Sequence, residues 1–255
     1  MIRRFEPAIV LIGFLAFWEI GARLMQVPQY ILPLPTAIFA ELWNNLGWYA
    51  MHAYYTLAAC ILGFLLALFV GIAMSVGIVY SRVLESTLYT LLVSLNSIPK
   101  IALAPLFIIW MGTNLTSKVA ISMLIALFSI VIDAVLGLRS VDSDTLSMAR
   151  SMRASPMKVL WYIRFPAAMP YIFAGMKVAI SLALVGAIAG EFVASQVGLG
   201  YVIMVAQGSF EITRVFAAIV LLGILGTILF YLIIIAERFV IPWHISHRVI
   251  AGGGH

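Results

Sequence analysis

Charge is what this chain has least of: Asp, Glu, Lys and Arg make up 10% of its 255 residues, while 64% are hydrophobic. With a mean hydropathy of +1.12, it carries too little polar surface to coat a water-soluble globule, and the medium it implies is a bilayer. Cysteine is nearly absent. The single Cys60 lies in an apolar window, which excludes a disulfide framework and any Cys/His metal spacing and leaves a packing role. His52, His244, His247 and His255 have no metal-like partners at useful spacing and read as interfacial. Neither H-E-x-x-H nor G-x-S-x-G occurs, so no catalytic residue, metal ligand or cofactor is assigned. Repeats, low-complexity tracts and soluble domains are missing too, and with them any nucleotide-binding fold within the chain.

What is present is a series of apolar windows about 20 residues long, the length at which a helix rising ~1.5 Å per residue crosses ~30 Å of hydrocarbon. They predict an all-α integral membrane protein of one domain, residues 1–255, with six transmembrane helices at about 7–24, 56–80, 87–111, 118–137, 170–194 and 215–236. The first follows Arg3 and Arg4 but lacks a small-residue cleavage site, so it is read as a retained span. Pro99, Lys100 and Pro105 interrupt the third, because proline removes a backbone donor and clashes with the preceding turn. Pro166 and Pro170 fit helix-start positions before the fifth. Between the first two spans, Thr36 to Asn45 reads as an N-capped amphipathic helix at the interface. Gly63, Ala67, Gly71 and Ala73, with Gly223 and Gly226, allow close helix packing, either internally or between two copies.

Bases outnumber acids, 15 to 10. No basic run or aromatic-interleaved patch accompanies the excess, so it points to membrane orientation rather than to a nucleic-acid partner. With both termini cytoplasmic, the inside segments hold Arg3, Arg4, Arg82, Arg139, Arg150, Arg153, Lys158, Arg164, Arg238 and Arg248. The outside segments hold Arg23, Lys118 and Arg214. The opposite topology inverts this positive-inside bias.

The inside connection 138–169 is the most informative. Asp142, Asp144 and then Arg150 and Arg153 place acids at the start and bases at the end of a short helix, as its macrodipole favours. Leu146, Ala149, Met152 and Arg153 fall at i, i+3, i+6 and i+7, giving an apolar face with a charged flank. Such a helix either seats in a groove on a soluble partner or rests on the membrane surface; periodicity does not separate the two.

Ala149, Ala154-Ser155-Pro156 and Phe165-Pro166-Ala167-Ala168-Met169-Pro170 resemble the EAA loop of permease subunits in binding-protein-dependent ATP-binding cassette (ABC) importers. The likeness extends to Leu32-Pro33-Leu34-Pro35-Thr36, to Ile98-Pro99-Lys100 through Leu106, to Gly137 through Asp142, and to Gly190-Glu191-Phe192 with Gly198-Leu199-Gly200-Tyr201. Together these motifs are similar to the branch that imports nitrate, taurine and other sulfonates, or pyrimidine precursors of thiamine. The resemblance implies a type I ABC importer permease fold in a bacterial inner membrane. It also implies a coupling segment, 142–158, seated in a cytoplasmic ATPase through Leu146, Ser147, Met148, Ala149, Arg150, Met152, Arg153, Ala154, Ser155 and Pro156. The partners implied are a second copy of the chain, two ATPase subunits that bind the ATP, and an external solute-binding protein. Two residues depart from the pattern: Ser147 stands where the family has Glu, and Arg153 where it has Gly at the turn. Arg153 is therefore expected either to force a different turn or to be helical, since a Cβ strains positive φ.

Charged groups at bilayer depth are costly unless paired or wet. Glu191, Lys100, Asn96, Ser97 and Gln196 are accordingly candidate translocation-pathway residues, with a structural ion pair or snorkelling as the other reading of Glu191 and Lys100. Asp133 is expected to pair with Arg139 or to cap. An ion-coupled secondary transporter is the alternative function; it calls for inverted repeats and a buried carboxylate network, and neither is apparent.

Overall fold

In the computed structural model, residues 6–89, 91, 94 and 98–243 are described, and among them there is no strand. Helix α1 (Glu6–Leu24) ends before a proline-rich turn, and α2 (Pro35–Asn44) starts with proline at its first position. Thr36 does not cap α2: its N–H and hydroxyl both donate to the Glu19 carboxylate, at 3.1 and 3.0 Å. A carboxylate from α1 thus takes the capping role, because acceptors and negative charge are both favoured at a helix N-terminus.

The second span begins ten residues before its expected start. Helix α3 (Leu46–Tyr80) has 35 residues, about 52 Å of helix at ~1.5 Å per residue, so it projects beyond a ~30 Å hydrocarbon layer. The expected third span is interrupted as its prolines require. A 3-10 turn, Lys100–Leu103, leads into α4 (Ala104–Met111), which stops at Gly112 with φ of 83°. Asn96 and Ser97 lie outside the described residues.

Helix α5 (Leu115–Arg139) is followed by the short α6 (Ser143–Ser151). The fifth span does not begin at Pro170. The chain is helical from Pro156 through a wide five-residue turn at Leu160–Arg164 into α7 (Phe165–Ala194), with Pro166 in the first turn and Pro170 accommodated inside. Helix α8 (Leu199–Gly208) and α9 (Ile212–Val240) complete the bundle. Four helical stretches, Leu46–Tyr80, Leu115–Arg139, Pro156–Ala194 and Ile212–Val240, are long and apolar enough to cross a membrane by length and composition.

α3, α5 and α7 form the centre. They approach closely because small residues meet there: a Cβ on Gly63 would fall 2.5 Å from Ser122 Cβ, and one on Gly186 only 2.6 Å from Ser122 Cα. Where lipid is as apolar as leucine, such close backbone contact and the Ser122 hydroxyl bonding to the Ala183 carbonyl at 2.8 Å supply the attraction. Gly223 has open space around it and takes no part in this packing.

Candidate coupling segment and polar sites

The segment after α5 is a rigid, capped unit. Asp142 accepts the backbone N–H and the hydroxyl of Thr145, both at 2.7 Å, closing the N-terminus of α6. These bonds, the backbone one first, hold the Asp142 carboxyl below its ordinary range. At the other end Arg153 N donates to the Arg150 carbonyl and Ala154 N to the Ala149 carbonyl, at 2.9 and 3.0 Å. That pair of bonds is a Schellman cap, and Arg153 occupies its left-handed position with φ of 55°. The expected departure in geometry is therefore absent: Arg153 takes up the glycine conformation rather than altering the turn or joining the helix. Ser155 then accepts from Lys158 N at 3.4 Å, starting the next turn beside Pro156.

The exposed face of α6 differs from the one periodicity suggests. Ala149 is buried and Leu146 half-buried, while Ser147, Met148, Arg150, Met152 and Arg153 are exposed. Met148 and Met152, one helical turn apart, form the outward apolar stripe, with arginines beside it. Met157, Trp161 and Tyr162 extend the exposed apolar surface. Two cross-links that sequence reasoning missed tie this unit to the spans. The Tyr80 hydroxyl, at the end of α3, donates to the Pro156 carbonyl at 3.1 Å. Arg164 Nη1 donates to the Leu138 carbonyl at 2.8 Å, satisfying one of the last carbonyls of α5 with a cation at the negative helix end. Arg139 pairs with Glu85 at 2.8 Å, not with Asp133, whose side chain lies against Gly175 of α7.

The described pathway candidates are not brought together. Lys100 lies over the Phe128 ring at 4.4 Å, in a cavity of about 230 Å³ with Phe107, Trp110 and Leu124. Gln196 is exposed and lines a second cavity of about 510 Å³ beside Lys118. Glu191 is 1% exposed and lines neither. It accepts the Thr56 hydroxyl at 2.8 Å and the Gly200 N–H at 2.7 Å. Thr56 Oγ1 in turn accepts Leu199 N–H at 2.8 Å, and His52 Nδ1 accepts Gly198 N–H at 3.0 Å. The carboxylate thus caps α8 and clasps α3, α7 and α8 together. Thr56 and His52 stand at the edge of an apolar window and show no spacing signal that marks them as its partners. Lys118, in the first turn of α5 at the end of the bundle away from 142–158, is 6% exposed, and its Nζ donates to Ser195 Oγ at 2.6 Å.

The described residues thus form an all-helical bundle of membrane-spanning length with a doubly capped, proline-bounded helix between two spans, the arrangement expected of an ABC importer permease. Residues 63–241 match the family described as binding-protein-dependent transport system inner membrane component. The chain is 36% identical to the riboflavin transport system permease protein RibX of Chloroflexus aurantiacus, covering 96% of this chain and 94% of that one. It is 32% identical to the formylaminopyrimidine transport permease protein ThiX of Halalkalibacterium halodurans, over 93% and 95%. A chain of the MetNI methionine ABC transporter in an inward-facing conformation superposes with a TM-score of 0.63 at 20% identity, covering 73% of this chain and 93% of that one, a likeness of fold. The chain belongs to the binding-protein-dependent inner membrane component family, and it is a transmembrane subunit of an ABC importer.

Proposed function

We propose that two copies of this chain form the pathway for a small solute handed over by an external binding protein, and that 142–158 seats each copy in a cytoplasmic ATPase. The observation that carries this reading is a capped helix in a braced connection: Asp142 and the Arg153 turn hold the shape of α6, Tyr80 to Pro156 ties the end of 142–158 to α3, and Arg164 to Leu138 ties the turn before α7 to the end of α5. A helix held this way transmits displacement to the spans instead of absorbing it. Met148 and Met152 supply the apolar contact and Arg150 and Arg153 the charged one, compensating for Ser147. Leu146 and Ala149 support the helix from its inner side, and Ala154 to Pro156 form its return.

The positive-inside bias supports cytoplasmic termini in a bacterial inner membrane. Lys100 and Gln196, with Asn96 and Ser97, are assigned to the pathway, and Glu191 to the wall that supports it. RibX is named for riboflavin and ThiX for formylaminopyrimidine, and by that likeness the solute is a small heterocyclic compound. The test is co-purification with the partner ATPase, followed by ATP-dependent uptake in proteoliposomes. Arg150→Glu with Arg153→Glu is expected to abolish both association and stimulated hydrolysis. Unchanged association, or uptake that persists without the ATPase, overturns the reading.

A further inference from the structure

At the end of the bundle opposite 142–158, the start of α5 and the end of α7 enclose the cavity of about 510 Å³. Its wall carries one full charge, Lys118, together with Thr113, Asn114, Ser195, Gln196 and Tyr55, and no carboxylate. Lys118 is nearly fully buried, and its ammonium donates to a neutral hydroxyl, Ser195 Oγ at 2.6 Å. No carboxylate oxygen lies within 4 Å of it among the described residues. Glu191, which shares its electrostatic field, has its oxygens turned to Thr56 and the N-terminus of α8. An ammonium carries three donors, and burial of a cation is costly unless an anion or a further acceptor compensates it. The same wall includes the N-terminal turn of α5, whose first N–H groups have no intrahelical partner and whose Asn114 side chain makes no capping bond.

We propose that this cavity is a binding site for an oxyanion group, a carboxylate, sulfonate or phosphate, held by Lys118 and oriented by the side-chain amides of Asn114 and Gln196, while Ser195, whose hydroxyl donates to the Val197 carbonyl, holds the ammonium in place. The group neutralises the buried ammonium and meets donors on the opposite wall. It is carried either by the incoming solute or by an acidic side chain of a docked protein. The site is read on the isolated chain and does not depend on the proposed ATPase contact.

The experiment is a titration of the full chain in nanodiscs with sodium acetate, methanesulfonate and inorganic phosphate, against chloride at fixed ionic strength, read as the shift in thermal unfolding. A saturable, oxyanion-specific rise is expected. Since a hydrogen bond to a charged group is worth ~1.5–3 kcal/mol, K118M is expected to weaken binding about tenfold or more. Q196E, at an exposed position of the same cavity, places a competing carboxylate there without disturbing the core and is expected to weaken it comparably. It keeps the test decisive if K118M does not fold. No oxyanion-specific response in the wild type, or an undiminished one in Q196E, overturns the proposal. In the assembled transporter, a raised KM for uptake in Q196E assigns the group to the solute, and weakened docking of the binding protein assigns it to that partner. Failure of ATPase association leaves this readout untouched, so the two proposals fail separately.

Discussion

Glu191 accepts a hydrogen bond from the backbone N–H of Gly200 at 2.7 Å, and a Cβ on Gly200 would approach the Glu191 side chain to 2.9 Å. The carboxylate therefore needs glycine beneath it to reach the first turn of α8. Gly198 meets the same demand more severely, with φ of +110° and no room for a Cβ, which would fall onto the carboxylate carbon. The Gly-Leu-Gly spacing of residues 198–200 is thus explained by a buried acid rather than by a flexible loop.

Gly198→Ala is expected to destabilise the protein by about 2 kcal/mol or more, combining backbone strain with displacement of Glu191. Glu191→Gln keeps the shape and loses the charge-assisted bonds, at a cost of ~1–3 kcal/mol. Thermal unfolding in detergent in which Glu191→Gln and Gly198→Ala both matched the wild type would contradict the clasp.

Helix packing at Ser122 gives a second expectation. Gly186→Ala places a methyl 2.6 Å from Ser122 Cα, and overpacking of this kind costs ~1–3 kcal/mol. Gly223→Ala enters open space and is expected to change stability by less than about 0.5 kcal/mol. Equal losses at the two positions, measured as unfolding midpoints of the isolated chain, would mean that α9 is closely packed at Gly223 after all.

Four of the six expected spans, the second, fourth, fifth and sixth, were legible because apolar windows have a length set by the bilayer, and the interruption at Pro99 and Pro105 because proline chemistry is local. Their ends were less so. α3 starts at Leu46 rather than near residue 56, because Trp48, Tyr49, His52 and Tyr54 are amphipathic enough to continue a helix through the interface. α7 runs through Pro170, since neighbouring backbone adjusts around an interior proline where other helices pack against it. Glu191 was visible as a costly intramembrane charge. Its partners were not: Thr56 is 135 residues away, and no spacing rule spans that separation. Arg153 was legible as a departure, but whether it strains the turn or reshapes it is decided by backbone bonds to residues 149 and 150.

Arg153→Gly separates conformation from charge. Glycine removes the left-handed cost of a residue bearing a Cβ, and the isolated chain is expected to gain up to about 1 kcal/mol. The same change removes a cation from the exposed face, so ATPase association is expected to weaken. Arg153→Asn tolerates the turn while also removing the charge and is expected to weaken association equally. If Arg153→Gly strengthens association instead, the arginine serves the turn and not the contact.

Asp142 carries the pH dependence of the coupling helix. Bonds from the Thr145 N–H and hydroxyl lower its folded pKa below the ordinary carboxylate value. A depressed acid contributes stability that is complete above its unfolded pKa and is lost as pH falls through the folded one. The Thr145 amide resonance in micelles is therefore expected to stay constant near neutrality and to move only at acid pH below the usual Asp range. In Asp142→Asn, which still caps, that movement is expected to vanish. An amide that titrates near neutral pH in the wild type would show that another group governs this end of α6.

Transmission through Tyr80 is the most direct test of the coupling geometry. Tyr80→Phe removes the bond to the Pro156 carbonyl at 3.1 Å but keeps the ring that lies 5.8 Å from the Arg164 guanidinium carbon. Loss of one exposed neutral hydrogen bond costs ~0.5–1.5 kcal/mol, too little to unfold the bundle. ATPase binding depends on α6 and is expected to be unchanged, while the solute imported per ATP hydrolysed falls. Arg164→Met, which also frees the Leu138 carbonyl, is expected to lower the ratio further. The two changes act on different spans, α3 and α5, so their effects on coupling are expected to combine in the double variant. A double variant with a wild-type ratio of transport to hydrolysis would show that motion of α6 reaches the pathway by another route.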